Sequence, residues 1–286
     1  MKLSIIIVSW QVRDKLKNNL TALFKSQVDF DWEVFVVDNN SQDGTVEMVE
    51  NNFPQVNLIA NEDNVGFARA NNQAIKAAAG EFVLLLNPDM LVRQDTLLKM
   101  IDWLEAKPEA WVAGCHLLDE QGQTIKQVRR FPGLADQWAI ASKLAHVFPA
   151  ALHKYLRKDF DYAAAAKVDS IRGSFFMIRR SCLEQVGLLD ERFFVWFEEV
   201  DYCRRVAEAG GEVWYTPAAE AVDLVGQSFA QWPTARAQKI FKDSQLKYFT
   251  KWQPAGQVWL LLVGWLVGGV LVALANLFKI KSKAKT

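Results

Sequence analysis

Acidic and amide side chains follow an apolar run that resembles a buried strand. The run Phe82–Leu86 ends directly in Asn87-Pro88-Asp89. In open α/β sheets, ligands bind in the crevice beyond the carboxyl ends of the strands. A carboxylate at such a position could hold a divalent cation through hard oxygen, and the cation could hold a diphosphate. Asp89 is therefore a candidate metal ligand, and the alternative is a Pro-Asp turn that only ends the strand.

A second carboxylate, Asp38, follows an earlier apolar run that ends at Val37. It could accept hydrogen bonds from the imide of a pyrimidine base. Ser41 or Asp43 would cap the helix that follows. Turn and capping roles account for Asp43-Gly44-Thr45 but not for Asp38, because a carboxylate next to a buried strand needs a partner.

The elements that would position these residues alternate between strand-like and helix-like from Leu3 to about Ala113. They are Leu3–Val8, Lys15–Lys25, Trp32–Val37, Thr45–Asn51, Val56–Ala60, Phe67–Ala79, Phe82–Leu86 and Thr96–Ala106. The alternation predicts right-handed crossovers and a mostly parallel sheet with helices on both faces. No GxGxxG turn follows the first strand and no P-loop is present, which argues against the usual dinucleotide-binding and P-loop classes.

Length and composition restrict the class of protein. The 286 residues, 51% of them hydrophobic, suffice for one large α/β domain or two small ones. The 33 basic residues balance 33 acidic ones, so no overall field favours nucleic acid. The single cysteines Cys115, Cys182 and Cys203 lack metal-ligand spacing and indicate a reducing compartment. We expect the residues from Leu3 to form a first strand rather than a signal peptide, since no small-residue cleavage site follows.

Other charged residues allow a functional and a structural interpretation. Arg69 lies in the first turns of an Ala-rich helix and could contact a diphosphate, or it could be a solvated helix arginine. Glu198 and Glu199 follow a dense aromatic run at a helix start. Aromatic surroundings would raise the pKa of a carboxyl toward that of a useful general base. Acids in a first helical turn also complement the helix dipole without any catalytic role.

Three ordered motifs carry a resemblance to a known family. They are Val-Asp-Asn-Asn-Ser-x-Asp-Gly-Thr at 37–45, Asn-x-x-Asn-x-Gly-Phe-Ala-x-Ala-Asn at 61–71 and Leu-Leu-Leu-Asn-Pro-Asp at 84–89. With these motifs the chain resembles the family-two inverting glycosyltransferases of the GT-A fold, and most closely their bacterial rhamnosyltransferase-like branch. The resemblance extends to about residue 251.

The resemblance implies a nucleotide-sugar site. Asp38 would read the base, and Asn87-Pro88-Asp89 would stand where relatives carry Asp-x-Asp, with Asp89 binding Mg²⁺ or Mn²⁺. The donor contacts expected on this basis come from Ser9, Asp38, Asn40, Asn64, Arg69, Asn87 and Asp89. The acceptor contacts would come from Arg172, Gly173 and Trp196.

Some positions depart from the family pattern. The family has Glu-Asp at 198–199, and its second acid deprotonates the acceptor hydroxyl, so Glu199 takes that role here with Glu198 as the alternative. A histidine usually precedes Gly-x-Ser, whereas this chain has Asp223 ahead of Gly226-Gln227-Ser228. A carboxylate could still ligate a metal, although it cannot donate a hydrogen bond to phosphate.

The departing residues are Gln11, Arg172, Glu199 and Asp223. They leave open a catalytically silent membrane-bound module that binds nucleotide sugar or glycan. A nucleotidyltransferase on a similar sheet is a third interpretation.

After Cys115 the alternation stops. Residues 117–125 predict a hairpin, and a long segment up to about Lys167 follows. This segment interleaves aromatic with basic side chains: Trp138, Phe148, Tyr155 and Phe160 with Lys143, His146, His153, Lys154, Arg157 and Lys158. Such a segment suits a surface that lies against anionic headgroups, or equally an amphipathic insertion that covers the sheet edge.

The end of the chain indicates a membrane segment. No charged residue occurs between Lys251 and Lys279, and Val258–Phe278 has about the 20 residues needed to cross a bilayer. The spacing of Gly264 and Gly268 could serve a homodimer, or these glycines could break the helix into a re-entrant hairpin. The positive-inside rule places the lysine tail, which includes Lys285, in the cytoplasm. A nucleotide-sugar enzyme needs its catalytic domain there too, so a single crossing satisfies only one of the two demands.

We therefore expect a GT-A domain over 1–251, with a nucleotide-sugar half at 1–115 and an acceptor half at 116–251, and a membrane anchor with a basic tail over 252–286. The expected enzyme is a metal-dependent inverting hexosyltransferase on the cytoplasmic face of the bacterial inner membrane. It would move L-rhamnose from dTDP-rhamnose, or a sugar from a UDP-sugar, to a polyprenyl-diphosphate-linked glycan. The product would belong to a cell-surface polysaccharide such as O-antigen or cell wall.

Overall fold

The first half of the chain alternates strands and helices in the computed structural model, which describes residues 1–224 and 234–283. Its elements are β1 (Leu3–Ser9), α1 (Arg13–Leu23), β2 (Trp32–Asp38), α2 (Thr45–Asn52), β3 (Asn57–Ala60), α3 (Phe67–Ala77), β4 (Phe82–Leu86), β5 (Met90–Val92) and α4 (Thr96–Glu105). The predicted bounds differ from these by one or two residues at most, and only the short β5 was missed in this half.

The second half is less regular. Its elements are β6 (Ala110–Leu118), α5 (Leu134–Ala141), β7 (Ala166–Val168), β8 (Phe175–Arg179), α6 (Arg180–Val186), α7 (Glu198–Glu208), β9 (Glu212–Asp223), α8 (Thr234–Trp252) and α9 (Ala255–Lys283). Two short 3-10 turns, Leu144–His146 and Pro149–Leu152, follow α5. The predicted hairpin at 117–125 is a tight turn closed by a single bridge between Leu118 and Thr124.

One sheet joins both halves. In the described residues its strand order is β3-β2-β1-β4-β8-β6-β9-β5, and β7 pairs with β9. The strands β3, β2, β1 and β4 run parallel, as predicted. Beyond β4 the sheet is mixed, because β8 is antiparallel to both β4 and β6, and β5 and β7 are antiparallel to β9. The strand β6 runs across residue 115, so the two predicted halves share this sheet.

Helices cover both faces of the sheet because its central strands are apolar on both faces. Ile5 and Ile7 pack with Leu16 of α1 on one face, while Ile6 packs with Ala74 of α3 on the other. Alternate residues of a strand point to opposite faces. All three cysteines are buried and free, in agreement with the absence of a disulfide framework.

The final helix α9 is continuous through its glycines. It has 29 residues, and Ala255–Ala275 is long and apolar enough, by length and composition, to cross a membrane. The structure therefore shows no re-entrant break at Gly264 or Gly268. Side chains from residue 276 onward, and the whole of Lys285, lie outside the described part.

The face of α9 that carries Gly264 and Gly268 packs on α5 of the same chain. A Cβ added at Gly264 would lie 2.9 Å from the Trp138 ring, and one added at Gly268 would overlap the carbonyl oxygen of Ala141. We therefore correct the expectation that these glycines mediate a homodimer, since α5 of the same chain already covers this face. The small residues allow close approach within one chain instead.

The glycine packing can be tested with neighbouring positions. We expect Gly268→Ala to destabilise the protein by about 1–3 kcal/mol, because the new methyl group meets backbone rather than a flexible side chain. Gly269→Ala is the matched control, since no atom lies within 4 Å of its added Cβ. Thermal unfolding in detergent measures both variants, and equal unfolding temperatures would contradict the packing of α9 on α5.

Candidate active site

A cavity opens at the carboxyl ends of β1 and β4, where the parallel strands end. Its walls come from the residues that follow β1, the motif at 61–71, the turn after β4, and the segments at 172–174 and 194–199. The lining residues are Val8, Trp10, Val12, Asn39, Asn64, Gly66, Phe67, Asn87, Pro88, Arg172, Gly173, Ser174, Phe194, Val195, Trp196, Glu198 and Glu199. Predicted donor-site and acceptor-site residues thus face a common space.

The turn Asn87-Pro88-Asp89 is fixed by a buried asparagine of α1. The amide N–H of Met90 donates to the carbonyl oxygen of Asn87 at 3.2 Å, which closes the turn. The side-chain amide of Asn19 donates to the carbonyl oxygens of Asn87 (3.1 Å) and Met90 (2.7 Å). Sequence reasoning missed Asn19, although a polar residue at a buried position of a helix is a signal for such a role.

Asp89 and Asp223 lie side by side because β5 pairs with the end of β9. Met90 is the register partner of Asp223, and the amide of Leu224 donates to the carbonyl oxygen of Asp89 at 3.1 Å. Both side chains are buried. Arg172 Nη1 lies 3.5 Å from Asp223 Oδ2. Burial raises the pKa of Asp223 and Asp89 adds to this, while Arg172 opposes it.

These two carboxylates fit a divalent cation that is shared with a ligand. Asp223 Oδ2 is buried and accepts no hydrogen bond from the described residues. No group of three or more His, Cys, Asp or Glu side chains that could hold a metal occurs in the described ranges. Mg²⁺ is usually bound by one or two carboxylates plus substrate phosphates and water rather than by a closed protein cage. The predicted Gly226-Gln227-Ser228 loop lies outside those ranges.

At the end of β2, Asp38 keeps one oxygen available. Its Oδ2 accepts the amide N–H of Ser41 at 2.8 Å, whereas its Oδ1 is buried with no hydrogen-bond partner among the described residues. Burial raises the pKa of Asp38 against the effect of Ser41. Ser9, its register partner on β1, is also buried with an unpaired hydroxyl in the described structure. Polar atoms of this kind are usually satisfied by a ligand or water.

The asparagines of the first two motifs divide into lining and outward-facing residues. Asn64 lines the cavity and its Oδ1 accepts the amide N–H of Gly66 at 3.0 Å. Asn40 has a left-handed backbone (φ 61°) and accepts a hydrogen bond from Gln42 at 2.7 Å, away from the lining set. Its neighbour Asn39 lines the cavity instead, with Oδ1 accepting from Asn61 at 3.0 Å. Sequence reasoning passed over Asn39 although it lies within the first motif.

Arg69 is not brought to the cavity. It is exposed on α3, while its neighbours Ala68 and Ala70 are buried against the sheet. The helix register thus turns Arg69 outward, which corrects the expectation that it points into the crevice. The arginine that lines the cavity is Arg172.

The approach to α7 is a strained aromatic segment. Trp196 and Phe197 both have left-handed backbones, with φ of 67° and 71°, which cost about 1–3 kcal/mol each for residues of this kind. The helix α8 holds them in place. Phe197 packs on Tyr248 at a ring separation of 5.5 Å, and the hydroxyl of Ser244 donates to the carbonyl oxygen of Val195 at 2.8 Å. This segment delivers Glu198 and Glu199 to the cavity.

The two glutamates differ in their electrostatics. Glu198 is buried, and burial raises its pKa well above 4.5, with the charge of Glu199 raising it further. Glu199 is half-buried and faces the cavity. Burial also raises its pKa, and the charge of Arg172 counteracts this. Two adjacent buried carboxyl groups of this kind cannot both be charged at low cost. Gly173 makes room for Glu199, since an added Cβ would lie 3.4 Å from the Glu199 Cβ.

The rest of α7 is anchored through Asp201. This fully buried carboxylate accepts hydrogen bonds from Arg205 Nε at 3.0 Å, Lys251 Nζ at 2.9 Å and Trp252 Nε1 at 2.7 Å. Arg205 is the partner at i+4 on the same helix, and the other two donors come from α8. Asp201 thus serves to fix α7 against α8 rather than to line the cavity.

Comparisons with known proteins bear on the family and the fold of the chain. The sequence pattern of glycosyl transferase family 2 matches residues 4–187. One relative is the N-acetylglucosaminyl-diphospho-decaprenol L-rhamnosyltransferase of Mycobacterium tuberculosis, 27% identical over 225 residues, which covers 74% of this chain and 73% of the relative. Another is the rhamnosyltransferase WbbL of Escherichia coli K12, 29% identical over 227 residues, which covers 76% of this chain and 81% of the relative.

A solved structure shows the same fold at low identity. The mannosyltransferase PcManGT of Pyrobaculum calidifontis, in complex with GDP-Man and Mn²⁺, superposes with a TM-score of 0.59 at 19% identity, covering 96% of this chain and 75% of that one. The fold is therefore GT-A-like, a mixed α/β sheet flanked by helices. From the match over residues 4–187 and these relatives, the chain belongs to glycosyl transferase family 2.

Proposed function

We propose that this glycosyltransferase is a metal-dependent inverting enzyme that moves a hexose from a nucleotide diphosphate to a hydroxyl of a lipid-linked glycan. The observation that carries the proposal is the shared cavity. Glu199 lines the same space as Asn87, whose turn holds Asp89 beside Asp223. In this proposal the general base and the diphosphate site face one reaction space.

The proposed donor is dTDP-L-rhamnose, with a UDP-sugar as the alternative. Support comes from the two relatives named as rhamnosyltransferases. The cavity also has apolar walls from Trp10, Phe67, Phe194 and Trp196. Such walls suit the apolar face and the methyl group of a 6-deoxy sugar, which lacks one hydroxyl to be satisfied. In this assignment Asp38 reads the base.

In the proposed mechanism Glu199 accepts the proton of the acceptor hydroxyl as its oxygen attacks the anomeric carbon. Attack comes from the side opposite the leaving diphosphate, so the configuration inverts. Glu198 keeps its proton and prevents a second charge beside the base. Arg172 places a cation between Glu199 and the diphosphate side of the cavity. A Mg²⁺ or Mn²⁺ held by Asp89 and Asp223 would supply positive charge for the diphosphate.

The proposed acceptor is a polyprenyl-diphosphate-linked glycan. Support comes from the named activity of the mycobacterial relative, which acts on a decaprenol-linked substrate, and from the apolar α9. We place residues 1–115 on the donor side and 116–251 on the acceptor side, with the enzyme at the cytoplasmic face of the bacterial inner membrane in cell-surface polysaccharide synthesis.

The role of Glu199 is tested by a substitution that keeps its size. We expect Glu199→Gln to reduce transfer about 10²–10⁴-fold with donor affinity retained, because the amide cannot take a proton. Glu208→Gln, at the exposed end of the same helix, is the matched control and should transfer normally. Transfer is measured with radiolabelled donor and lipid acceptor. Normal transfer by Glu199→Gln would refute the mechanism, and loss in Glu198→Gln alone would assign the role to the neighbour.

The metal assignment is tested at Asp89. We expect Asp89→Ala to abolish the Mn²⁺-dependent release of nucleoside diphosphate from donor, with an unchanged far-UV circular dichroism spectrum. The control is Asp95→Ala, which removes an exposed acid that pairs with Lys99. Undiminished turnover of the parent enzyme in excess chelator would exclude the metal. Absence of any donor turnover in the parent with Mn²⁺ would instead favour the catalytically silent binding module.

The raised pKa of Glu198 predicts how stability depends on pH. The unfolded chain ionises near 4.5, whereas burial keeps the folded carboxyl protonated to higher pH. Stability therefore falls as pH rises from the unfolded pKa through the folded one. We expect Glu198→Gln to lack this loss, so that its melting temperature gains at least about 2–4 °C on the parent between about pH 4.5 and pH 8. Parallel pH profiles of the two proteins would contradict the assignment.

A further inference from the structure

The first part of α9 is built into the catalytic domain. Leu261, Gly264 and Gly268 are buried on its inner side. Trp265 Nε1 donates to Gln245 Oε1 at 2.8 Å, and Gln245 Nε2 donates to Gln137 Oε1 at 2.8 Å. Both glutamines are fully buried. A continuous polar chain therefore joins α9 to α8 and α5, and α9 cannot move independently of them.

Charged side chains lie beside this part of α9. Lys143 Nζ is 5.2 Å from the centre of the Trp265 ring, and Lys242 Nζ is 5.9 Å from it. Placing such groups in hydrocarbon is costly. A crossing needs about 20 residues, and the described part of α9 beyond Gly268, residues 269–283, is shorter than that. A crossing would thus have to carry the packed part of α9 and its charged neighbours into the bilayer.

The outer side of α9 is apolar and uncovered. Trp259 and Leu266 are each 70% exposed. Val147 and Phe148 form a second exposed apolar feature on the turns after α5. Their exposures are 67% and 62%. These turns start beside α9, because Ala141 at the end of α5 contacts Gly268. The turns that carry Val147 and Phe148 therefore begin next to α9.

The surroundings of Val147 and Phe148 are basic. Residues 142–158 contain Lys143, Lys154, Arg157 and Lys158 and no acidic residue. Lys154 and Lys158 are exposed, as are His146 and His153. Apolar side chains that protrude among basic ones are complementary to a bilayer surface with anionic headgroups.

We propose that α9 and residues 142–158 form one docking face for an anionic bilayer, on which α9 lies along the surface instead of crossing. Val147 and Phe148 insert beside it, and the lysines of the segment contact the headgroups. The end of the chain then stays on the same side of the membrane as the catalytic cavity. This arrangement satisfies the two demands that a single crossing leaves in conflict. It goes beyond the proposed function, because it holds whichever sugar is transferred.

Flotation of the purified full-length chain with vesicles tests the docking face. We expect binding to phosphatidylcholine vesicles that contain phosphatidylglycerol to exceed binding to pure phosphatidylcholine by at least about tenfold at low salt. The variant Val147→Asp/Phe148→Asp should lose at least about fivefold of this binding. Asn18→Asp/Asn51→Asp adds the same charge at exposed positions of α1 and α2 and should bind like the parent. Donor hydrolysis measured on each variant shows that it is folded.

Labelling of single cysteines tests the path of α9. The native cysteines are all buried, so a membrane-impermeant maleimide reports on an introduced one. In sealed vesicles with the cytoplasmic face outward, we expect Thr286→Cys and the domain reporter Asn18→Cys to be labelled equally. Protection of Thr286→Cys until detergent is added would show a crossing helix and overturn the proposal. Equal flotation of Val147→Asp/Phe148→Asp and the parent, or equal binding to both kinds of vesicle, would overturn the docking face.

Discussion

The burial of two adjacent carboxyl groups is the constraint on which the site depends. Glu198 and Glu199 stand together in a largely desolvated place, where both cannot be charged at low cost. The arrangement persists only if the surrounding structure holds it rigidly. The left-handed backbones of Trp196 and Phe197 add further strain. Aromatic packing on α8 offsets these costs, so a large part of the second half of the chain serves to hold two acids in place.

The helix α8 is the element that transmits this constraint. It contacts the segment before α7 through Ser244, binds Asp201 within α7 through Lys251, and binds α9 through Gln245. The position of the base and the position of the apolar helix are thus set by the same element. In the proposed docking arrangement, this linkage would fix the height of the proposed base above the lipid surface. A flexible tether would leave that height undefined.

The parallel half of the fold and the residues at its strand ends were predictable, because apolar runs, helix periodicity and strand-end motifs are local signals. The second half was less predictable, since β7 has only three residues and is defined by its pairing with β9. The strand β5, missed in the first half, likewise has three residues and pairs with β9. The prediction for Arg69 was wrong because it considered the charge of the side chain but not the helix register, which turns this side chain outward. The spacing of Gly264 and Gly268 indicated close helix packing correctly, but no local pattern states whether the partner is another copy or α5. Asn19 acts only through residues about seventy positions away.

Arg172 and Asp223, which both depart from the family pattern in the sequence, form an ion pair in the structure. A carboxylate at 223 places a second buried acid beside Asp89. Burial raises the pKa of Asp223, the charge of Asp89 raises it further, and the added negative charge would weaken a site for a diphosphate. The guanidinium of Arg172, 3.5 Å from Asp223, compensates for that charge. Removing Arg172 would leave the buried carboxylate of Asp223 without its cation, which is destabilising. A balance of charge between the two residues is what an anion site requires. A balanced anion site serves a transferase and a silent nucleotide-sugar-binding module alike, and the proposed base at Glu199 is what distinguishes the two.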